Sequence, residues 1–103
     1  MSLYCYLTDL TRRIFKILPM REDEFKGTYV YLDVYLESLS VEMSGATSTF
    51  PALSSDSDYI AVLNTINGLM CDSYDVAQTK REVFKALNLV RRIIDRFGGE
   101  VRG

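Results

Sequence analysis

The stretch from Phe25 to Met43 constrains the fold of this chain more than any other. Its apolar residues Phe25, Tyr29, Leu32, Leu36, Leu39 and Met43 recur at spacings of four and three, the period that lines up one face of an α-helix. The segment TYVYLDVYL is dense in β-branched and tyrosine residues. A strand, however, would put Thr28, Val30 and Leu32 on one face and Tyr29, Tyr31 and Asp33 on the other, which separates nothing by polarity. The helical register does separate, over nearly three heptads. Burying such side chains is worth about 1.5–3 kcal/mol each before conformational entropy is counted. The rest of the chain is therefore expected to pack around a helix at about residues 24–44.

Similar reasoning places the other elements. Leu3, Leu7, Leu10, Ile14 and Leu18 predict an amphipathic helix over 2–18, with Arg12, Arg13 and Lys16 in its last turns, where cations suit the helix dipole. Pro19 is expected to stop it, and the polar MREDE that follows to be a connection. Tyr59, Val62, Leu63, Ile66 and Met70 predict a third helix over 58–70, with Asn67-Gly68 as a C-cap. Asp75 and Gln78 form a capping-box pattern that opens a fourth helix over 76–97. Its expected core stripe is Val76, Val83, Leu87, Val90, Ile94 and Phe97, and Gly98-Gly99 should close it. The Ser-rich stretch 44–58, with Gly45 and Pro51, reads as a long loop pinned by Phe50 and Leu53. Ser55, Asp56 or Ser57 should cap the helix after it. At 103 residues the chain can bury one real core. The expected fold is a single all-α domain, 1–103: an antiparallel bundle of four helices.

The chemistry is read largely from what is missing. The chain has no histidine, so it offers neither a Ser-His-Asp or Cys-His nucleophile nor a His-ligated metal. The Glu-x-x-His pairs of carboxylate-bridged di-metal bundles are likewise missing, as are GxxxxGK[ST], GxGxxG and GxSxG. Asp33 and Glu37 stand one helical turn apart, but no carboxylates at matching spacing answer them, so they read as a solvated acidic face. Cys5 and Cys71 form no CxxC and read as two buried thiols of a reducing compartment. No apolar run approaches the ~20 residues of a membrane span. The opening MSLYCYLTDL lacks the basic start and small-residue cleavage site of a signal peptide. The expected location is cytoplasmic, with no catalytic residue, cofactor or metal.

One feature exceeds what a core requires. The second helix has a further apolar side: Val30, Val34 and Val41, with Tyr31 nearby, lie away from the Phe25–Met43 stripe. A bundle helix normally buries one stripe, so this side is expected to meet a protein partner or a second copy of the chain. Phe84 and Leu89, outside the main stripe of the fourth helix, join the expected interface. These residues suggest a small, non-catalytic, self-associating interaction module, of the adaptor, regulator or inhibitor (immunity) kind. Two rivals come from other classes. Arg81, Lys85, Arg92 and Arg96 form a basic stripe that a nucleic-acid-binding regulator would use, against an overall balance of 12 basic and 14 acidic residues. The seven tyrosines would suit a pocket in an accessory subunit of an enzyme complex, although at helical spacing they read first as core and rim.

Overall fold

In the computed structural model, which describes residues 2–27, 31–71 and 74–102, the hydrophobic periodicity becomes an all-α bundle. Its four long helices are α1 (Leu3–Phe15), α3 (Leu32–Thr49), α4 (Ser57–Cys71) and α5 (Val76–Arg102). A nine-residue α2 (Ile17–Phe25) and a 3₁₀ segment (Pro51–Ser55) fill two of the connections. The class matches the expectation from periodicity, and the boundaries move for identifiable reasons.

The first difference lies at Pro19. The Ser2 hydroxyl caps α1 by accepting the Cys5 amide at 3.1 Å, and Leu7, Leu10 and Ile14 are buried along it. The helix then breaks at Lys16 and restarts, with Pro19 in the first turn of α2. A proline costs little there, because first-turn amides have no intrahelical acceptor to lose. MREDE is therefore helical. Gly27, at φ +75°, ends α2 in the left-handed region open to glycine. The long stripe is thus divided: Phe25 belongs to α2, Tyr29 lies outside the described residues, and Leu32, Leu36, Leu39 and Met43 are the buried line of α3.

The second difference lies at 44–58. There α3 runs on through Gly45 to Thr49, and only Phe50, the 3₁₀ segment and Asp56 separate it from α4. Ser, Thr and Gly are weak helix formers, but Ala46 and Leu53 are buried here and Phe50 stacks on Tyr6 at 5.5 Å. Tertiary burial overrides local preference. The expected cap is made by Asp56, whose Oδ1 accepts the Tyr59 amide at 3.0 Å. Asn67 and Gly68 do not end α4; the Asn67 Oδ1 instead accepts the Ser40 hydroxyl at 2.8 Å, tying α4 to α3.

The capping box forms in full: the Gln78 amide donates to Asp75 Oδ1 at 2.7 Å, and the Asp75 amide to Gln78 Oε1 at 3.1 Å. Helix α5 continues past Gly98-Gly99. Its buried line is Thr79, Val83, Ala86, Val90 and Ile93, with Leu87, Ile94 and Phe97 at the half-buried margins. The stripe is rotated from the expected one because α5 packs against α1, α2 and α4 at once.

Helix α3 packs on α4 and the 3₁₀ segment, and approaches α1 mainly through long side chains. The molecule measures 47 × 21 × 21 Å along its principal axes. Two buried polar ties hold the rest. The Arg21 guanidinium donates to Thr79 Oγ1 (3.0 Å), Glu24 Oε1 (2.6 Å) and the Leu69 carbonyl (3.3 Å), joining α2 to α4 and α5. The Tyr59 hydroxyl donates to the Met43 carbonyl at 2.6 Å and lies 2.9 Å from the Tyr6 hydroxyl. Burial raises the pKa of both phenols, so both stay neutral. Among the described residues no buried side-chain nitrogen or oxygen lacks a partner.

Candidate interaction surface

Helix α3 has two unlike sides. Inward, Leu32, Leu36, Leu39 and Met43 are all at most 3% exposed. One flank faces α1: the Tyr35 hydroxyl donates to the Arg13 carbonyl at 2.7 Å, and Glu42 pairs with Arg13. The other flank faces α4 through Ser40. Outward, Val34 is 55% and Val41 66% exposed, and Tyr31 at the start of the helix is 62% exposed. Neither α1 nor the 3₁₀ segment covers them. Val30 falls outside the described residues.

At ~100° per residue, Val34, Ser38, Val41, Gly45 and Ser48 form one outer line, and all five are exposed. Their spacings are 4, 3, 4 and 3, the seam of a helix pair. Beside this line, between α1 and α3, runs a groove of about 290 Å³ lined by Arg13, Lys16, Tyr35, Ser38, Leu39 and Glu42. The exposed carboxylates Asp33 and Glu37 lie on the opposite margin, towards Ser40 and α4. The outer side of α3 is therefore apolar and small-residue along its middle, acidic on one edge, and of mixed charge on the other, where Arg13, Lys16 and Glu42 stand together.

The remaining expected interface residues do not join this line. Phe84 is 42% exposed, but on α5, which packs on α1, α2 and α4 rather than α3. Leu89 is half-buried against the core. Two exposed apolar residues were not expected: Phe15 at the end of α1 and Ile60 on α4. The signal for both was in the spacing, since Phe15 falls outside the Leu7–Leu10–Ile14 line and Ile60 outside Tyr59–Val62–Ile66. Gly45 and Ser48 were missed because their composition suggested a loop.

The basic stripe of α5 is largely engaged with carboxylates. Arg96 donates to Asp58 Oδ2 and Asp56 Oδ2, both at 2.6 Å, Arg92 lies 3.8 Å from Asp58, and Lys85 lies 3.6 Å from Glu82. The hydrogen bond from Arg96, with the charge of Arg92 behind it, holds the Asp58 carboxyl below its usual range, and the Arg96 guanidinium is correspondingly raised. Only 7% and 14% of the Asp56 and Asp58 side chains remain accessible. What covers them is chiefly Arg96 at the rim of the bundle, where solvent still screens the pair. Arg81 is exposed and has no ion-pair partner among the described residues.

Cys5, expected to be buried, is an exposed free thiol, because it falls on the outer side of α1 away from Leu7 and Leu10; the Cys71 side chain lies outside the described residues. Among the described residues no group of three or more His, Cys, Asp or Glu side chains is placed to hold a metal ion. Nor is any described helix long and apolar enough to cross a membrane. Searches of protein-family models, curated proteins and solved structures gave no match to this chain.

Proposed function

We propose that this chain is a small, non-catalytic helical interaction module that self-associates through the outer side of α3. The observation that carries this reading is the exposure of Val34 and Val41, one heptad apart, on a helix whose inner side is already fully packed. Isolated exposed apolar residues are ordinary on protein surfaces. Two exposed valines aligned with Ser38 and Gly45 are a different case, because small residues between them let another helix approach closely. The net charge of −2 leaves little overall repulsion between copies. A role as adaptor, regulator or inhibitor in a cytoplasmic setting is consistent with such a surface.

The test is light scattering coupled to size exclusion on wild type and Val34→Asp across a wide concentration range. The expected result is a wild-type mass that rises with concentration and a Val34→Asp mass that stays monomeric, with unchanged circular dichroism. A wild type that is monomeric at every concentration would end the self-association reading.

A further inference from the structure

Beyond that reading, and on a different side of the bundle, we infer that the seam where α1 meets α5 is a docking surface for an acidic protein segment, one that carries carboxylates around an apolar side chain. Phe15 and Phe84 are the apolar anchors. Arg12, Lys80, Arg81 and Arg91 receive the carboxylates.

The neighbours of each helix show which flanks line this seam. On α5, Glu82 and Lys85 border a cleft with α4, and Arg92 and Arg96 reach Asp58. At ~100° per residue, Lys80, Phe84, Leu87 and Arg91 lie on the opposite flank, turned to α1 and α2. On α1, the Tyr6 ring stacks on Phe50 at the end of α3, and the Arg13 side chain pairs with Glu42 of α3. Phe15 lies on the other flank, beside α5. At one end of the seam Arg21 meets Thr79; at the other, Tyr6 meets Tyr59, next to the Asp58 that holds Arg96. The chain through α1 and α2 therefore runs opposite to α5. Phe15 is six residues before Arg21, and Phe84 five residues after Thr79, so the two rings stand at one level on either side of the seam.

Both rings are offered to solvent, Phe15 at 52% and Phe84 at 42% exposure. A cation stands one helical turn before each: Arg12 before Phe15, and Lys80 and Arg81 before Phe84. Arg91 follows on the same flank of α5. All four cations are exposed and, among the described residues, have no ion-pair partner. The exposed carboxylates on this side, Glu22 and Asp95, lie towards its two ends. The middle of the seam is thus positive in a chain whose net charge is −2.

This charge pattern selects the occupant. The cations on the α4 flank of α5 are matched within the chain, Lys85 by Glu82 and Arg92 and Arg96 by Asp58 and Asp56. Those at the seam have no such counterpart, so an external anion complements them. Aromatic anchors beside guanidinium groups are the makeup of protein-binding hot spots, and a guanidinium can hold a carboxylate by two parallel hydrogen bonds. A nucleic-acid backbone would favour a continuous track of cations, which the two rings interrupt.

The test is fluorescence anisotropy with a labelled amphipathic peptide of glutamate and leucine, its glutamine-for-glutamate counterpart, and a labelled oligothymidine. The chain should bind the acidic peptide, and the glutamine peptide about tenfold more weakly. Arg91→Gln and Phe84→Ala, each with unchanged circular dichroism, should raise the dissociation constant about three- to tenfold. Lys85→Gln alters the net charge as much as Arg91→Gln but on the α4 flank, and should change the constant by less than about twofold. The inference would be overturned by no binding of the acidic peptide, by equal effects of Arg91→Gln and Lys85→Gln, by Phe84→Ala without effect, or by tighter binding of the oligothymidine. The self-association reading is tested at Val34 and is untouched by any of these results.

Discussion

The inner and outer sides of α3 are built from similar residues and do opposite things. Leu32, Leu36, Leu39 and Met43 touch α4, the 3₁₀ segment and the core, and almost none of their surface meets water. Val34 and Val41, on the same helix and of the same apolar kind, leave more than half of theirs in solvent. The inner side is spent on folding. The outer side, left more than half in water at Val34 and Val41, contributes far less burial to the monomer. An apolar residue can be informative because the fold does not use it, and the two sides of α3 can be told apart by experiment on that basis.

The largest effect should come from the inner side. Leu36→Ala leaves a cavity in a 1%-exposed site and should cost about 2–5 kcal/mol of stability by urea or thermal unfolding. A loss as small as that of a surface substitution would mean that the inner side is not packed as described. Next is the buried polar tie behind α3. Tyr59→Phe removes the hydroxyl that donates to the Met43 carbonyl and meets Tyr6, leaving a buried carbonyl without that donor. It should cost about 1–3 kcal/mol, read by the same unfolding curves. Asp75→Ala removes the arm in which the Asp75 carboxylate accepts the Gln78 amide, leaving the Asp75 amide to donate to Gln78 Oε1, and should cost about 1 kcal/mol, with amide exchange accelerated at Gln78. Val34→Ala, on the outer side, should leave stability within about 0.5 kcal/mol of wild type, while shifting the sedimentation profile towards monomer. A large stability loss there would erase the distinction between the two sides.

The smallest effect concerns pH. The Asp58 carboxyl is held below its usual range by Arg96, so the folded state binds that proton less readily than the unfolded chain. The clamp therefore contributes stability above about pH 4, and this is lost as pH falls through the lowered folded value. Arg96→Ala should lower the melting temperature by no more than a few degrees at neutral pH. The gap between variant and wild type should close on acidification below pH 4. A gap that widens in acid would show that the clamp acts through something other than Asp58 ionisation.

How much of this could be read from the residues differs from element to element. The capping box at Asp75–Gln78, the Asp56 cap and the pins at Phe50 and Leu53 were all legible, because each depends on a few neighbouring residues or on plain hydrophobicity. The end of the first helix was not. A proline is a stop signal inside a helix but is accommodated in a first turn, and only the break at Lys16 decides which applies. The rotation of the α5 stripe was also hidden, since it depends on the directions from which α1, α2 and α4 approach. Of the surface residues, Val34 and Val41 stood out by register, whereas the half-burial of Leu89 and the separation of Phe84 from α3 depend on which helices become neighbours.

The sequence by itself determined that this chain is helical, roughly where its long helices lie, and that one of them carries more apolar sides than a bundle helix needs. Those properties follow from local period and capping, which act within a few residues along the chain. Only the tertiary structure decided that 44–49 extends α3, that α1 leaves a groove beside α3, and that Lys16 and Glu37 stand on opposite edges of one exposed line. Each depends on contacts between segments distant in sequence, such as Phe50 on Tyr6 and Tyr35 on the Arg13 carbonyl. No local pattern encodes those contacts.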